Sequence, residues 1–492
     1  MVRSMWVGAV IAVVTVQIMS NLLGTLLGQR PRHPPHRELE LELESSTKFN
    51  GKERGSTADL TGLKSFRWSF LVVLAACNLG EFIQGAHIFK LYVEDKGLDI
   101  GFIPKMFMVG QVSSMITGPF SGAFVDRYGR RNGCMLWTVL NMLQCLLIRS
   151  KSLGVLVLGR VIAGVCTSII ATAFEAWMVT EHHNRGYPSH LMGDTFRMTV
   201  WALGAVAVVS GFLAEAAVQR KGLLAPFELA IGVSFISLLL LGRLWNENHG
   251  NHSSSPVRHI KEAWAHMMGD SRLLLMGLVQ VLFEGSMLAW VVIWVPVLEA
   301  APPSQSKAIA MGTVFSTLMV AICTGSSLFK IFTEGLPERF TLSPNACLVL
   351  ATGLGTIAMA ACSTGLPAAK LLLMFLVYEV CIGIYFPAMA TCRSTYMDDR
   401  VRGTAMNIIR VPMNLVLILL TLGPMARLSD PSKGGASVVF KAMACLTGLS
   451  TLIQVVLYSG EKSEGRTSRD VTTMQLCSDA RVRLRGRDED TT

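Results

Sequence analysis

Among the ionisable side chains inside the long apolar runs of this 492-residue chain, seven are candidates for chemistry: Glu81, Arg160, Glu175, Arg197, Glu284, Glu379 and Arg410. A charge at the centre of a bilayer costs at least about 2.5–3.5 kcal/mol, so each such residue needs a reason. Arginine suits an oxyanion, because its guanidinium is planar, permanently charged and donates paired hydrogen bonds. A carboxylate that is alternately buried and wetted suits the uptake and release of a proton. The competing reading is structural: Arg160 with Glu379, and similar pairs, would be locks between helices. Asn78, Gln84 and Gln280 flank the carboxylates and suit hydrogen bonds to neighbouring helices or to a substrate. No nucleophile–base pair and no compact metal-ligand set accompanies these residues. No catalytic residue, metal or cofactor is therefore assigned, and an enzyme is the least supported class.

Such side chains need a scaffold of membrane helices. Hydrophobic residues make up 51% of the chain and charged ones 16%, whereas a soluble domain carries about 25% charged residues. The apolar residues fall in runs of about 20, the length a helix needs to cross the hydrocarbon core. A secreted disulfide scaffold, a disordered regulator and a soluble enzyme are excluded. The chain reads as an all-α polytopic membrane protein with spans near 66–93, 103–124, 133–148, 153–180, 194–217 and 224–244, then 272–298, 308–332, 344–364, 369–392, 404–424 and 438–458. The polar stretch 245–271, a cytoplasmic loop in this reading, separates an N-terminal six-helix bundle, 66–244, from a C-terminal one, 272–458.

Residues 1–65 contain a further apolar run, Met5 to Leu27, read as an accessory membrane helix before a cytoplasmic linker. Its length of about 23 residues is long for a signal-peptide core, and no A-x-A site follows it. Residues 459–492 read as a disordered cytoplasmic tail. The net charge of +10 lies largely in loops and tails, where it sets topology instead of attracting nucleic acid. With residue 66 on the cytoplasmic side, most of those Lys and Arg fall inside, the N-terminus outside and the C-terminus in the cytoplasm. The eleven cysteines form no CxxC pair and read as small packing residues.

Between spans 2 and 3 stands Gly122-Ala123-Phe124-Val125-Asp126-Arg127-Tyr128-Gly129-Arg130-Arg131. The pattern G-x-x-x-D-R-x-G-R-R resembles the loop 2–3 motif of the major facilitator superfamily, whose helices form two six-helix bundles. Gly159-Arg160-x-x-x-Gly164 resembles the second motif of that superfamily. The resemblance implies that Gly122, Asp126, Arg127, Gly129, Arg130 and Arg131 form a gate that holds the cytoplasmic side closed in the outward-facing state. Gly122 is expected to let span 2 approach a neighbour. Asp126 is expected to face the start of span 11 near Thr404, and Arg127 and Arg130 to reach Glu175 and Glu181. The antiporter-type Gly-Pro motif is missing from 194–217, which leans toward uptake.

A narrower resemblance rests on Phe89-Lys90-Leu91-Tyr92, Phe174-Glu175-Ala176-Trp177, Glu181-His182, Ala225-Pro226-Phe227, Phe283-Glu284, Tyr385-Phe386-Pro387 and Arg410-Val411-Pro412. These segments look like the molybdate-anion transporter family, which implies high-affinity molybdate uptake across the plasma membrane. Helices 1, 4, 7 and 10 line the cavity in the superfamily, with 5 and 11 beside it, so all seven charges fall on cavity-side helices. Molybdate is a tetrahedral dianion. Arg197, Arg410 and Arg160 are the expected substrate-binding or exit-lining residues, and Glu81, Glu284, Glu175 and Glu379 the expected proton-coupling or cavity carboxylates. Helix 4 reads Arg160, Gly164, Glu175 and helix 10 reads Glu379, Gly383, Arg393, nearly the same spacing with the charges exchanged. The expected partners are molybdate or a related oxyanion and the lipid bilayer, with no nucleic acid, in a monomer. The alternatives are a carrier for another small anion or organic solute, and a non-transporting receptor or scaffold with the same fold.

Overall fold

The computed structural model describes residues 57–188, 191–250, 256–302, 310–397, 399–428 and 435–460. The accessory helix over Met5 to Leu27, the linker up to residue 56 and the tail from residue 461 lie outside the described residues. Among the described residues stand twelve long helices. They are α1 Thr57–Gly85, α2 Ile103–Tyr128, α3 Arg130–Leu147, α4 Leu153–Asn184, α5 Met192–Lys221 and α6 Ala225–Leu244, then α7 Ser271–Ala300, α8 Met311–Lys330, α9 Pro344–Cys362, α10 Ala368–Tyr396, α11 Asp399–Leu422 and α12 Gly435–Gly460. Nine are long and apolar enough to cross a membrane by length and composition. The other three, α2, α3 and α11, carry charges at their ends: Asp126 to Arg131 straddle the α2–α3 junction, and α11 opens on Asp399-Arg400.

Local chemistry sets the ends of these helices. Pro104, Pro226 and Pro344 occupy first turns, where a missing N–H leaves no bond unmade. Asp270 caps α7 by accepting from the Arg272 amide, and Ser343 caps α9 through the Ala346 amide. The first span does not run unbroken to residue 93. It stops at Gly85, and after the turn at Ala86-His87 come a short helix, Ile88–Lys90, and a wide turn of π-helix, Leu91–Asp95. The stretch expected as a central loop contains a helix, Pro256–Gly269, which packs on α11 and buries Met267.

Small residues mark the closest helix pairs, because without a side chain two backbones can touch. Gly164 of α4 lies against Gly110, Ser113 and Ser114 of α2, and Gly383 of α10 against Ile322 and Gly325 of α8. These glycines follow Arg160 and Glu379 by four residues, so the repeated spacing corresponds to equivalent contacts in the two halves. Between the halves, α5 packs on α8 and α2 on α11. Gly211 meets Gly312 there, and the Ser316 hydroxyl donates to the Val208 carbonyl at 2.7 Å. A side chain at Gly122 would meet open space, so Gly110 makes the close approach of α2 that was expected at Gly122.

Candidate functional site

In the first half, Arg160 projects from α4 across Gly110 of α2, with its guanidinium 4.9 Å over the Phe107 ring. Tyr92, from the wide turn after α1, and Glu81 on α1 both lie within electrostatic range of Arg160. Arg160 Nε and Glu81 Oε2 are buried with no hydrogen-bond partner. The pocket beside them is lined by Gln84, Tyr92, Gln144 and Arg160 and has room for about one water molecule. Gln84 donates to Asn141 at 3.1 Å, and Asn141 donates to Ser234 at the same distance, which ties α1, α3 and α6 together behind it. Arg160 is thus within electrostatic range of Glu81 without an ion pair, and no contact between Arg160 and Glu379 is formed among the described residues. Glu379 is buried with Oε2 unpartnered.

In the second half the residues gather around Glu284 of α7. Its Oε1 accepts from the Tyr385 hydroxyl of α10 at 3.2 Å, and the charges of Arg393 on α10 and Arg410 on α11 both reach it. Arg393 donates from Nη1 to Gln280 Oε1 at 3.1 Å, one helical turn from Glu284. The sequence reading missed Arg393 as a site residue. Its signal was the helix 10 spacing, which had paired it with Glu175 by repeat. Two expected site residues stand apart. Arg197 is 65% exposed, 2.8 Å from Asp194, and Glu175 is exposed on α4.

The loop 2–3 motif folds onto its own half. Arg130 binds Asp126 at 2.7 Å, the Ala176 carbonyl at 3.1 Å and the Thr180 hydroxyl. It does not reach Glu175 or Glu181, because Glu181 is held by Arg185 at 2.8 Å. Arg127 is exposed and lies over the Tyr128 ring. The segment Trp245–Gly250 supplies partners that the sequence reading left in a loop. Glu247 accepts from the Arg131 and Asn132 amides at 2.9 and 3.0 Å, and Gly250 donates its amide to the Asp126 carbonyl at 3.2 Å. Arg131 donates to the Trp245 carbonyl at 3.3 Å, and Trp245 stacks on Trp177 with ring centroids 3.7 Å apart. Gly129 has φ +104°, and its missing Cβ would collide with the Glu247 carboxylate, so glycine is required on both counts.

At the opposite end of the helices, Glu215 of α5 joins the two halves. Its Oε2 accepts from the Gly312 amide at the start of α8 at 3.0 Å and lies 3.6 Å from His87 Nε2. His87 stands two residues beyond the membrane-spanning part of α1, which ends at Gly85. Burial pushes its imidazole down to about 4 against the attraction of Glu215, with Lys90 pushing the same way as burial. The 3.6 Å contact is therefore not an ion pair at neutral pH. Lys90 makes a second link at this end, to Glu299 at the end of α7 at 3.6 Å.

The family described as sugar transporters with twelve transmembrane segments matches residues 43–356. The molybdate-anion transporter of Xenopus tropicalis is 30% identical over 406 residues, which cover 80% of this chain and 86% of that protein. The molybdate-anion transporter of Danio rerio is 29% identical over 403 residues, 76% of this chain and 80% of the other. Among solved structures, the nucleoside transporter NupG superposes with a TM-score of 0.62 at 10% identity, covering 80% of this chain and 98% of its own. A D-xylose–proton symporter superposes with 0.61 at 14% identity, covering 79% and 97%. These two likenesses establish the fold, two six-helix bundles of the major facilitator kind.

Proposed function

We propose that this chain, which belongs to the molybdate-anion transporter family of the major facilitator superfamily, carries molybdate into the cell by alternating access. The observation that carries the reading is the likeness over 406 residues to a transporter named for molybdate, a length greater than either six-helix half. The chemistry agrees. Arg160 and Arg410 are half-buried on α4 and α11, and a permanent charge in that position suits a dianion. Glu81, Glu284 and Glu379, with Glu175 nearer the loop 2–3 end, are carboxylates suited to moving a proton with the substrate. Arg197, exposed beside Asp194, lines the route to the cytoplasm. The loop 2–3 end faces the cytoplasm of the plasma membrane in this reading, as the positive-inside distribution favours. Closure of the Glu215–Gly312 end would then shut the outer side, and substrate would shift the balance between states by binding one of them better.

The description of the matched family as sugar transporters favours a second reading, an uncharged organic solute. Molybdate uptake by cells expressing the chain, with sulfate competition and a pH series, separates the two. Saturable uptake above vector-only cells is expected, weakened by Arg410→Lys more than surface expression is. Background-level uptake by the wild type, or full uptake by Arg410→Ala, would sink the corresponding assignment.

A further inference from the structure

We infer that Arg393, on α10, is an anion-binding residue of this carrier, that it shares the dianion with Arg410, and that Glu284 is the proton-linked counter-ion of the pair. The inference rests on the molybdate reading and adds to it a residue, a charge balance and a coupling site.

Arg393 is held in a manner unusual for a buried structural arginine. Among the described residues its guanidinium donates to the neutral amide oxygen of Gln280, at 3.1 Å, and no carboxylate there forms an ion pair with it. A guanidinium has five N–H donors in a fixed fork. Among the described residues, contact with a single amide leaves the greater part of that fork available for an oxyanion. Arg410 comes from the adjacent helix, α11, is also half-buried and also lacks an ion pair among the described residues. Both charges reach the same carboxylate, Glu284. Glu284 and Gln280 are one turn apart on α7, so the carboxylate and the amide that positions Arg393 share a helix face.

Among the described residues, the charged and titratable groups around Glu284 are Arg393 and Tyr385 from α10 and Arg410 from α11, with Gln280 as the neutral neighbour on α7. With Glu284 ionised, the two arginines and one carboxylate sum to one positive charge, which leaves a dianion incompletely balanced. With Glu284 protonated the sum is two positive charges, equal and opposite to a tetrahedral dianion. Binding the anion and taking up one proton therefore favour each other, and by linkage each promotes the other to the same extent. The Tyr385 hydroxyl, which donates to the ionised carboxylate at 3.2 Å, is oriented to accept from the protonated one. Arg393 lies in the last turn of α10, at the loop 2–3 end of the bundle, so a seat here discharges toward that side.

The test uses the full chain in cells, and purified in detergent for binding. Arg393→Lys retains the charge and loses the fork, and it is expected to raise the KM for molybdate at least tenfold with surface expression unchanged. Arg393→Gln is expected to abolish uptake, and to abolish the thermal stabilisation that molybdate gives the purified protein. Glu284→Gln, a permanent mimic of the protonated acid, is expected to keep molybdate stabilisation and to flatten the pH profile of uptake. Wild-type KM in Arg393→Gln overturns the seat while leaving molybdate transport standing. An unchanged pH profile in Glu284→Gln overturns the coupling. Absence of both uptake and molybdate stabilisation in the wild type overturns the substrate reading and this inference together.

Discussion

The first amides of a helix point out of its end and need acceptors. In α3 two of them, on Arg131 and Asn132, share one carboxylate, Glu247, from the segment behind α6. That carboxylate occupies the space which a side chain at Gly129 would need, so cap and glycine are matched to one another. Glu247→Ala is expected to destabilise the chain by about 0.5–2 kcal/mol, the usual cost of losing an N-terminal cap. Glu247→Gln, which keeps an acceptor oxygen, should cost less. Thermal melting of the purified variants checks the order, and an alanine variant that melts like wild type would show that the Glu247 cap does not stabilise α3. The same scale separates the arginines. Arg197 spends its charge on Asp194 at the surface, whereas Arg393 is held by an amide beside a buried carboxylate.

Pairs of helices meet where glycine lets them, and these contacts place the charges. Gly164 on Gly110 brings α4 close enough to α2 for Arg160 to pass over Phe107, and Gly211 on Gly312 brings α5 to α8 at the end opposite the gate loop. There Glu215 binds the first turn of α8 while touching a neutral His87. The imidazole is held at about 4, below its ordinary 6.5, so the closed arrangement binds fewer protons than one in which His87 meets water. Closure is therefore strongest above about pH 6.5 and weakens as the pH falls toward 4, by at most about 1.4 kcal/mol per pH unit for one proton. Acid is expected to open this end, and His87→Gln to flatten that dependence. Alkylation of a cysteine placed at half-buried Thr313, beside that contact, followed across that pH range, measures it. Equal acid sensitivity in the two proteins would show that His87 is not the responsive group.

For the whole molecule, labelling with a membrane-impermeant maleimide distinguishes the end that faces the cytoplasm from the one that faces outward. Asn132 is exposed in the first turn of α3, and Gly97 lies in the turn between α1 and α2 at the other end. In a background without Cys477 and the exposed Cys445, Gly97→Cys is expected to label in intact cells. Asn132→Cys should label only after permeabilisation. The reverse pattern would invert the proposed direction and make Glu215–Gly312 the cytoplasmic closure.

The amino-acid sequence by itself was sufficient for the membrane class and the fold of two six-helix bundles, and it made the loop 2–3 motif visible as a pattern. Each of these depends on local hydropathy or on residues close together in the chain, and the family comparisons and the fold agree with the class. It also singled out Glu81, Arg160, Glu284 and Arg410, because an ion in an apolar run is visible without coordinates. Partner choice was not legible. Whether Arg160 meets Glu379 or Glu81, and whether Arg130 meets Glu181 or Thr180, depends on how two helices are rotated and how far they have slid past each other. Arg393 was hidden because its last-turn position looks like a loop charge until the side chain is seen to reach Gln280. Glu247 and His87 act through segments far away in the chain. Periodicity places a residue on a helix, and only the packed bundle brings it to its partner.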